Sequence, residues 1–322
     1  MQTLRHMEEL RTLQRPVCFA IGVFDGVHLG HQAVIRRAVE EARQHGGTSV
    51  VLTFDPHPMR VTRPQESPLL LTSTEHKLRL IRVLGSEHLL LVHFDQEFSR
   101  TSPEDFIRML HAHCVKLQEI CVGYRWAFGR NRAGNIELIA RMGSQLGFAV
   151  KGMEPVAVDG EIVSSTLVRK LVREGELSAA ARLLGRPYSI LGEVVPGRRL
   201  ARQLGFPTAN LSTHAELFPP DGVYVVEVLL GGKIRRAVAN IGVRPTVETE
   251  PRDRLLEVHV LDFEGDLYGQ TLEVVFCAAL RPEKKFDTLE RLQVQVGLDV
   301  VRARDWRGDC AEVGVAKTGK TR

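Results

Sequence analysis

The chain has 322 residues, and at about 150 residues per domain this length favours two domains with separate hydrophobic cores. Its composition, 43% apolar and 25% charged, is typical of globular proteins and excludes a collagen-like, coiled-coil or wholly disordered chain. The net charge of +4 is small for this length, so no nucleic acid is expected as a partner. No apolar stretch approaches the roughly 18 residues of a membrane span, and the N-terminal residues carry charge throughout, so we expect neither membrane insertion nor secretion.

The cysteines indicate a reducing compartment. They are five in number, an odd count, and no two have Cys-x-x-Cys spacing. We therefore expect reduced thiols in a cytoplasmic protein. The five are Cys18, Cys114, Cys121, Cys277 and Cys310.

In the first half of the chain, short apolar runs alternate with longer helical patterns, which predicts parallel strands joined by crossover helices. The predicted strands are residues 17–23, 48–54, 88–94, 117–123 and 148–156. The predicted helices are residues 31–45, 74–84, 103–114 and 135–146. We expect an α/β domain with a five-stranded parallel sheet.

The pattern of predicted elements changes near residue 185. Two further predicted helices, residues 166–173 and 177–184, end at Gly185-Arg186-Pro187, after which strands are closely spaced and turns are rich in glycine. We place the domain boundary there, which gives domains at residues 1–185 and 186–306.

The second half is predicted to form a small antiparallel β-barrel, because five strand candidates follow one another at hairpin spacing. A helix at residues 286–303 is expected to cover one side of the barrel, and residues 307–322 are expected to form a mobile tail. The predicted strands are residues 188–195, 222–230, 234–241, 255–262 and 271–278.

The strongest chemical signal in the first half is the segment GVFDGVHLGH, residues 22–31, between the first strand and the first helix. There the free N–H groups of a helix N-terminus attract phosphate, and glycines let the backbone approach it. His28 and His31 are three residues apart, so they face the same way on the first helical turn and can donate to one phosphate. Such a pair suits nucleotidyl transfer, in which charge on the α-phosphate needs fixed donors. The alternative is a surface turn with incidental histidines.

A second phosphate-binding candidate follows the fifth strand. Ser164, Ser165, Thr166 and Arg169 offer three hydroxyls and a guanidinium where a helix begins, and these groups suit polyphosphate. Taken alone, the hydroxyls favour a plain helix N-cap, and it is the pairing with the histidine motif that favours phosphate binding. The segment TFDPHP, residues 53–58, ends the second strand at the same sheet edge and can line an acceptor pocket, although turn chemistry also accounts for its prolines.

The second half contains the segment LGFPTAN, residues 204–210. Thr208 and Asn210 are two residues apart beside a proline, so their oxygens can point at one hard cation such as Mg²⁺ carrying ATP phosphates. An ordinary proline turn is the alternative. Glu257 alternates with valines in a predicted strand, so it is either a solvated surface carboxylate or a base.

Taken together, nine segments resemble the bacterial bifunctional riboflavin kinase/FAD synthetase family, and they occur in family order over residues 19–303. The segments are GVFDGVHLGH, TFDPHP, VSSTLVRKLVREGEL, LLGRPY, GFPTANL, GVYVVEV, NIGVRPTV, LEVHVLDFEGDLYG and LRPEKKF. The resemblance implies a Rossmann-like nucleotidyltransferase domain that adenylylates FMN, followed by a flavokinase barrel with a C-terminal helix. The substrates and products implied are riboflavin, FMN, FAD, ATP, ADP and pyrophosphate, and both steps are expected to need Mg²⁺.

The resemblance also implies roles for particular residues. His28 and His31 would be catalytic in adenylyl transfer, and Glu257 would be the catalytic base of the kinase. The adenylyltransferase would bind ATP through Gly22, Phe24, Asp25, Gly30, Ser164, Ser165, Thr166 and Arg169. The kinase would bind ATP and flavin through Gly205, Pro207, Thr208, Asn210 and Arg244, with Thr208 and Asn210 holding Mg²⁺.

Two positions depart from the family pattern. Arg125 stands where the family usually has an acid, which reverses a charge beside the adenylyltransferase site, and Ala201 stands where the kinase usually has glycine. Arg125 motivates an alternative in which the first half is only a nucleotide- or flavin-binding module. A third hypothesis keeps the first half active on a different phosphate acceptor, but the kinase motifs argue against it.

Overall fold

The computed structural model describes residues 1–196, 205–213, 217–230, 232–243, 254–308 and 310. The chain divides into two compact units, one formed by residues 1–69 and 74–164 and the other by residues 70–73 and 165–322. This division groups the two helices before residue 185 with the second unit. The domain boundary at residues 185/186 stays a prediction.

The first unit contains a six-stranded parallel sheet, in the order β1-β4-β3-β2-β5-β6. The predicted α/β class is thereby confirmed. The predicted number of five strands was wrong, because β1 has only three residues and is too short to show a pattern. The strands are β1 Gln2–Leu4, β2 Val17–Ile21, β3 Thr48–Asp55, β4 His88–His93, β5 Leu117–Gly123 and β6 Ala149–Met153.

Several helices of the first unit begin with side-chain caps. The Ser102 hydroxyl accepts a hydrogen bond from the Asp105 N–H at 3.0 Å, and Pro103 fills the first helical position, as expected for a residue that has no N–H to satisfy. A short hairpin, β7 Ala157–Val158 and β8 Glu161–Ile162, follows the sheet. The helices are α1 Leu29–Gln44, α2 Pro58–Thr62, α3 Thr74–Arg82, α4 Pro103–His113 and α5 Ile136–Leu146.

Apolar cores lie on both faces of the sheet, which explains why every residue of β2 is buried. Successive side chains of a strand point to opposite faces, so Phe19 packs with Ile107 of α4 while Ala20 packs with Ile35 of α1. The strand β2 is flanked by β3 and β5, and the chain changes direction across the sheet at this point. Ligands of open α/β sheets bind beyond the carboxyl ends of the strands at such a position.

The second unit begins with α6 Ser165–Glu174 and α7 Leu177–Leu184 and continues as a closed antiparallel barrel, in the order β10-β13-β12-β11-β14-β9. The predicted barrel is confirmed, but the predicted five strands were too few. The missed strand is β10, which lies in the segment that sequence reasoning left open as a proline turn. The strands are β9 Ser189–Val195, β10 Ala209–Thr213, β11 Gly222–Leu230, β12 Lys233–Val243, β13 Arg254–Val260 and β14 Thr271–Pro282.

A long helix, α8 Leu289–Asp305, packs on the barrel as predicted. Val300 joins a core with Val225 and Val238 of the barrel. Asp299 is buried and accepts hydrogen bonds from the Arg281 guanidinium at 2.8–3.1 Å. The helix is therefore held by apolar packing and by one bidentate ion pair.

The cysteine prediction was wrong for two of the five residues. A disulfide joins Cys277 of β14 to Cys310, beyond the end of α8, and both residues are buried. The remaining three cysteines are free. Cys310 also lies in the predicted tail, most of which is outside the described residues; within the described part, Cys310 is bonded to the barrel.

Candidate active sites

The first candidate site lies where the chain leaves β2. The Gly22 N–H donates to the Leu52 carbonyl at 3.1 Å, after which the backbone turns sharply. Phe24 and Val27 both adopt positive φ, 54° and 42°, which is uncommon for residues other than glycine. A Cβ added to Gly22 would lie 2.8 Å from the Phe24 ring. Gly22 is therefore the residue that allows the Phe24 side chain to fold back and become buried.

His28 and His31 meet at the N-terminus of α1, as their spacing predicts. His28 is the N-cap, and its Nδ1 accepts a hydrogen bond from the His31 N–H at 3.3 Å. The two rings stack with their centroids 3.6 Å apart, and the Phe24 ring meets His31 edge-on at 5.3 Å. A Cβ on Gly30 would lie 3.2 Å from the His28 ring. The motif therefore forms one packed unit, in which Asp25 is also buried.

The end of β3 borders this motif. The buried Thr53 hydroxyl donates to the Val23 carbonyl at 3.0 Å, so the two strand ends are linked directly. Asp55, the last residue of β3, accepts a hydrogen bond from the Thr74 hydroxyl at 2.7 Å. Beyond the strand, His57 caps α2 by accepting from the Met59 N–H at 3.2 Å. The two segments that sequence reasoning placed at one sheet edge do lie there together.

The second predicted phosphate-binding segment is divided by the boundary between the two units. Ser164 ends the first unit, whereas Ser165 and Thr166 begin α6 of the second. Arg169 is buried in α6, and Thr166 is exposed. The role of these four residues in ATP binding stays a prediction.

The second candidate site is a cavity of about 670 Å³ in the barrel unit. Thr208 and Asn210 both line it, together with Pro207. Their hydroxyl and amide oxygens are hard donors, which fit Mg²⁺ better than a soft metal. The remaining lining residues are Val194, Ala209, Val258, Val260 and residues 263–268.

Contacts from β13 hold the lining segment in place. The Pro207 carbonyl lies 2.8 Å from Nδ1 of His259, and the Phe206 ring meets the same imidazole edge-on at 5.7 Å. Gly205 adopts φ 86°, a conformation that favours glycine. The segment therefore enters β10 from a fixed direction.

Glu257 is not among the cavity-lining residues, but strand register places it beside one of them. Asn210 of β10 and Asn240 of β12 are both paired with Glu257 of β13. Residues paired in this way project from the same face of a sheet, so the row consists of a half-buried carboxylate between two amides. Sequence reasoning did not assign Asn240, because a row across three strands is visible only once the register is known. Arg244 and Ala201 lie outside the described residues.

Comparison with known proteins matches the two halves of the chain to two different family models. Residues 10–167 match the family model of FAD synthetase, and residues 184–307 match that of riboflavin kinase. A bifunctional riboflavin kinase/FMN adenylyltransferase from Pseudomonas fluorescens is 39% identical, over 94% of this chain and 97% of the relative.

The chain belongs to the bifunctional riboflavin kinase/FMN adenylyltransferase family. The member from Escherichia coli K12 is 36% identical over 96% of this chain and 98% of its own length. The solved structure of a macrolide-efflux protein from Streptococcus pneumoniae is also similar, with a TM-score of 0.79 and 29% identity over 94% of this chain and 98% of that chain. Within the described residues, no helix is both long and apolar enough to cross a bilayer.

Proposed function

We propose that the two activities of this family are carried by the two sites described above. The chain is a bifunctional riboflavin kinase and FMN adenylyltransferase, with its FAD synthetase region at residues 10–167 and its riboflavin kinase region at residues 184–307. We assign adenylyl transfer to the histidine motif after β2 and phosphorylation of riboflavin to the barrel cavity. The observation that supports this assignment best is the stacked imidazole pair at the N-terminus of α1.

In the adenylyltransferase, a phosphate oxygen of FMN attacks the α-phosphorus of ATP and pyrophosphate leaves, which gives FAD. Negative charge grows on the α-phosphate during this displacement. His28 and His31 donate hydrogen bonds to that charge, and the N-terminus of α1 adds the positive end of the helix dipole. Gly22 and Gly30 keep side chains out of the motif, since a Cβ at either position would press on Phe24 or His28.

In the kinase, the 5′-hydroxyl of riboflavin attacks the γ-phosphorus of ATP and ADP leaves, which gives FMN. Thr208 and Asn210 would hold Mg²⁺, which would supply neutralisation of the phosphate charge. Glu257 accepts the proton of the attacking hydroxyl. Its place beside Asn210 in the strand register supports this role.

Arg125 remains the observation behind the alternative of a binding-only first half. It is exposed in the turn after β5, where a guanidinium can contact phosphate. The match of residues 10–167 to FAD synthetase favours the catalytic interpretation. We also propose a cytoplasmic location, since both reactions consume ATP.

The test is to supply riboflavin, ATP and Mg²⁺ to the purified protein and to separate the flavins by chromatography. We expect FMN to appear first and FAD to follow. A reaction that stops at FMN, while supplied FMN also stays unconverted, would favour the binding-only alternative. Omission of Mg²⁺ should stop both steps, and formation of FMN from riboflavin without any divalent ion would contradict the assignment of Thr208 and Asn210.

A further inference from the structure

Lys77 of α3 is a buried cation beside the first site, to which the sequence motifs assign no role. The residue is 6% exposed. Its Nζ lies 3.3 Å from the Val23 carbonyl, 3.2 Å from the Thr53 hydroxyl and 3.3 Å from the Phe54 carbonyl. An ammonium group has three N–H donors, so each donor has one acceptor.

These three acceptors belong to the two strand ends that form the site. Val23 follows β2 and directly precedes Phe24, whereas Thr53 and Phe54 lie in β3. The Thr53 hydroxyl also donates to the Val23 carbonyl at 3.0 Å. Lys77 therefore fixes the position of Val23 relative to β3 from a third element, α3.

The backbone that follows Val23 needs such support. Phe24 and Val27 both have positive φ, and residues in that region keep their conformation only where the surrounding structure determines it. The loop ends at the stacked pair of His28 and His31. A shift at Val23 would therefore be transmitted to the two imidazoles.

Burial of the Lys77 ammonium has an electrostatic cost, which appears as a lowered pKa. Burial lowers the pKa of its ammonium to about 8, although the carboxylates of Asp25 and Asp55 act in the opposite direction. A buried lysine is expensive to retain when it has no function. An apolar side chain of similar length would fill the same space without this penalty.

We propose that Lys77 is a positioning residue for adenylyl transfer, which anchors the start of the histidine motif so that His28 and His31 stay aligned with the α-phosphate. The inference rests on the proposed function of this site. Lys77 itself does not touch the substrate, because it is enclosed by the two strand ends. It acts through the Val23 carbonyl.

The test compares Lys77→Met with Lys116→Met in the full-length protein. Lys116 is exposed and directly precedes β5, so it lies at the amino ends of the parallel strands, whereas the site lies at their carboxyl ends. Lys116→Met therefore makes the same chemical change away from the site. We expect Lys77→Met to lower kcat for FAD formation from supplied FMN about 10- to 100-fold, the range found when a supporting residue around a functional group is removed. Lys116→Met should change kcat by less than about twofold, and both variants should phosphorylate riboflavin normally.

The dependence on pH separates positioning from simple stabilisation. Above about pH 8 the Lys77 ammonium loses its proton and one of its three donors, so FAD formation by the unmodified protein should fall. Folding stability should instead rise between about pH 8 and the ordinary lysine pKa of 10.5, because the unfolded chain then binds more protons than the folded one. The fall in activity should be absent from Lys77→Met.

A second variant tests the proposal independently, in case Lys77→Met does not fold. Thr53→Val keeps the shape of the side chain and removes one acceptor of the ammonium, so the fall in activity should move to lower pH. The proposal is overturned if Lys77→Met keeps kcat within about threefold, if its loss only follows the folded fraction measured by circular dichroism, or if Thr53→Val leaves the pH profile unchanged. Failure of the proposed function itself would look different, because the unmodified protein would then form no FAD.

Discussion

The two histidines of the first site act as fixed donors in our assignment, and this can be tested one residue at a time. His31→Ala removes one donor from the α-phosphate. Removal of one such donor typically costs about 10²–10³ in rate, so we expect FAD formation to fall by that factor while FMN formation survives. Flavin chromatography with supplied FMN measures the first activity, and riboflavin phosphorylation measures the second.

The matched control for this prediction is His45→Ala, at the other end of the same helix. His45 is the C-cap of α1 and lies beside Glu41, far from the helix N-terminus. It should lower FAD formation by less than about twofold. Equal losses in the two variants would mean that the histidines act through the stability of α1.

Glu257 in the barrel tests the assignment of the kinase base. Glu257→Gln keeps the shape of the side chain and removes its basicity. General-base catalysis contributes about 10²–10⁴-fold, so kcat for FMN formation should fall by that order while the affinity for riboflavin changes little. A solvated carboxylate would instead give less than about threefold. Glu193→Gln, the same change at an exposed position of β9, supplies the control.

At the scale of elements, sequence patterns predict the helices and strands whose hydrophobic residues recur at regular spacing. They miss strands that form only because they pair with residues distant in the chain. The helices and the longer strands follow from hydrophobic periodicity, which is a local property. The strand β10 was missed because a proline stands directly before Thr208 and Ala209, and its pairing with β9 and β13 outweighs that local signal.

The contacts of individual side chains are missed for the same reason, because their partners lie far away in the sequence. Lys77 lies four residues before Ile81 on α3, and both are buried. A lysine on the apolar face was a signal for a buried function, but its acceptors come from the loop after β2 and from β3 and cannot be read from spacing. Nothing in the spacing of Cys277 and Cys310, 33 residues apart, predicts their bond.

The disulfide joins strand β14 to Cys310, beyond the end of α8, and should stabilise the barrel unit. Closing a loop of this length removes about 3–4 kcal/mol of conformational entropy from the unfolded chain in the loop-closure model. Cys310→Ser should therefore lower the free energy of unfolding of the barrel by up to that amount in oxidising buffer. The loss of kinase activity with increasing denaturant concentration measures this unfolding. With dithiothreitol present, variant and parent should unfold alike; a difference of the same size in both buffers would mean that the loss comes from the serine substitution and not from the bond.

At the scale of the whole molecule, each unit has its own apolar core. The cores on the two faces of the parallel sheet are built from residues of the first unit, and the core beneath α8 is built from residues of the second. Each candidate site also draws the side chains that we assign to catalysis from a single unit. We therefore expect substitutions in one site to leave the other site intact.

Two complementary variants test this independence. Asn210→Ala removes a proposed Mg²⁺ ligand from the barrel, so it should form almost no FMN from riboflavin yet convert supplied FMN to FAD at the parent rate. His28→Ala should show the opposite pattern, with FMN accumulating and FAD formation reduced about 10²- to 10³-fold. Loss of both activities in either folded variant would contradict the assignment of separate sites.

Mixing the two variants extends the prediction to the full reaction sequence. Supplied with riboflavin, ATP and Mg²⁺, the mixture should make FAD, because FMN released by the barrel of His28→Ala can diffuse to the intact first site of Asn210→Ala. The rate should rise with the concentration of Asn210→Ala, since the second step is then bimolecular. If FMN accumulates in the mixture although each variant keeps its single activity, the two sites do not work through free FMN.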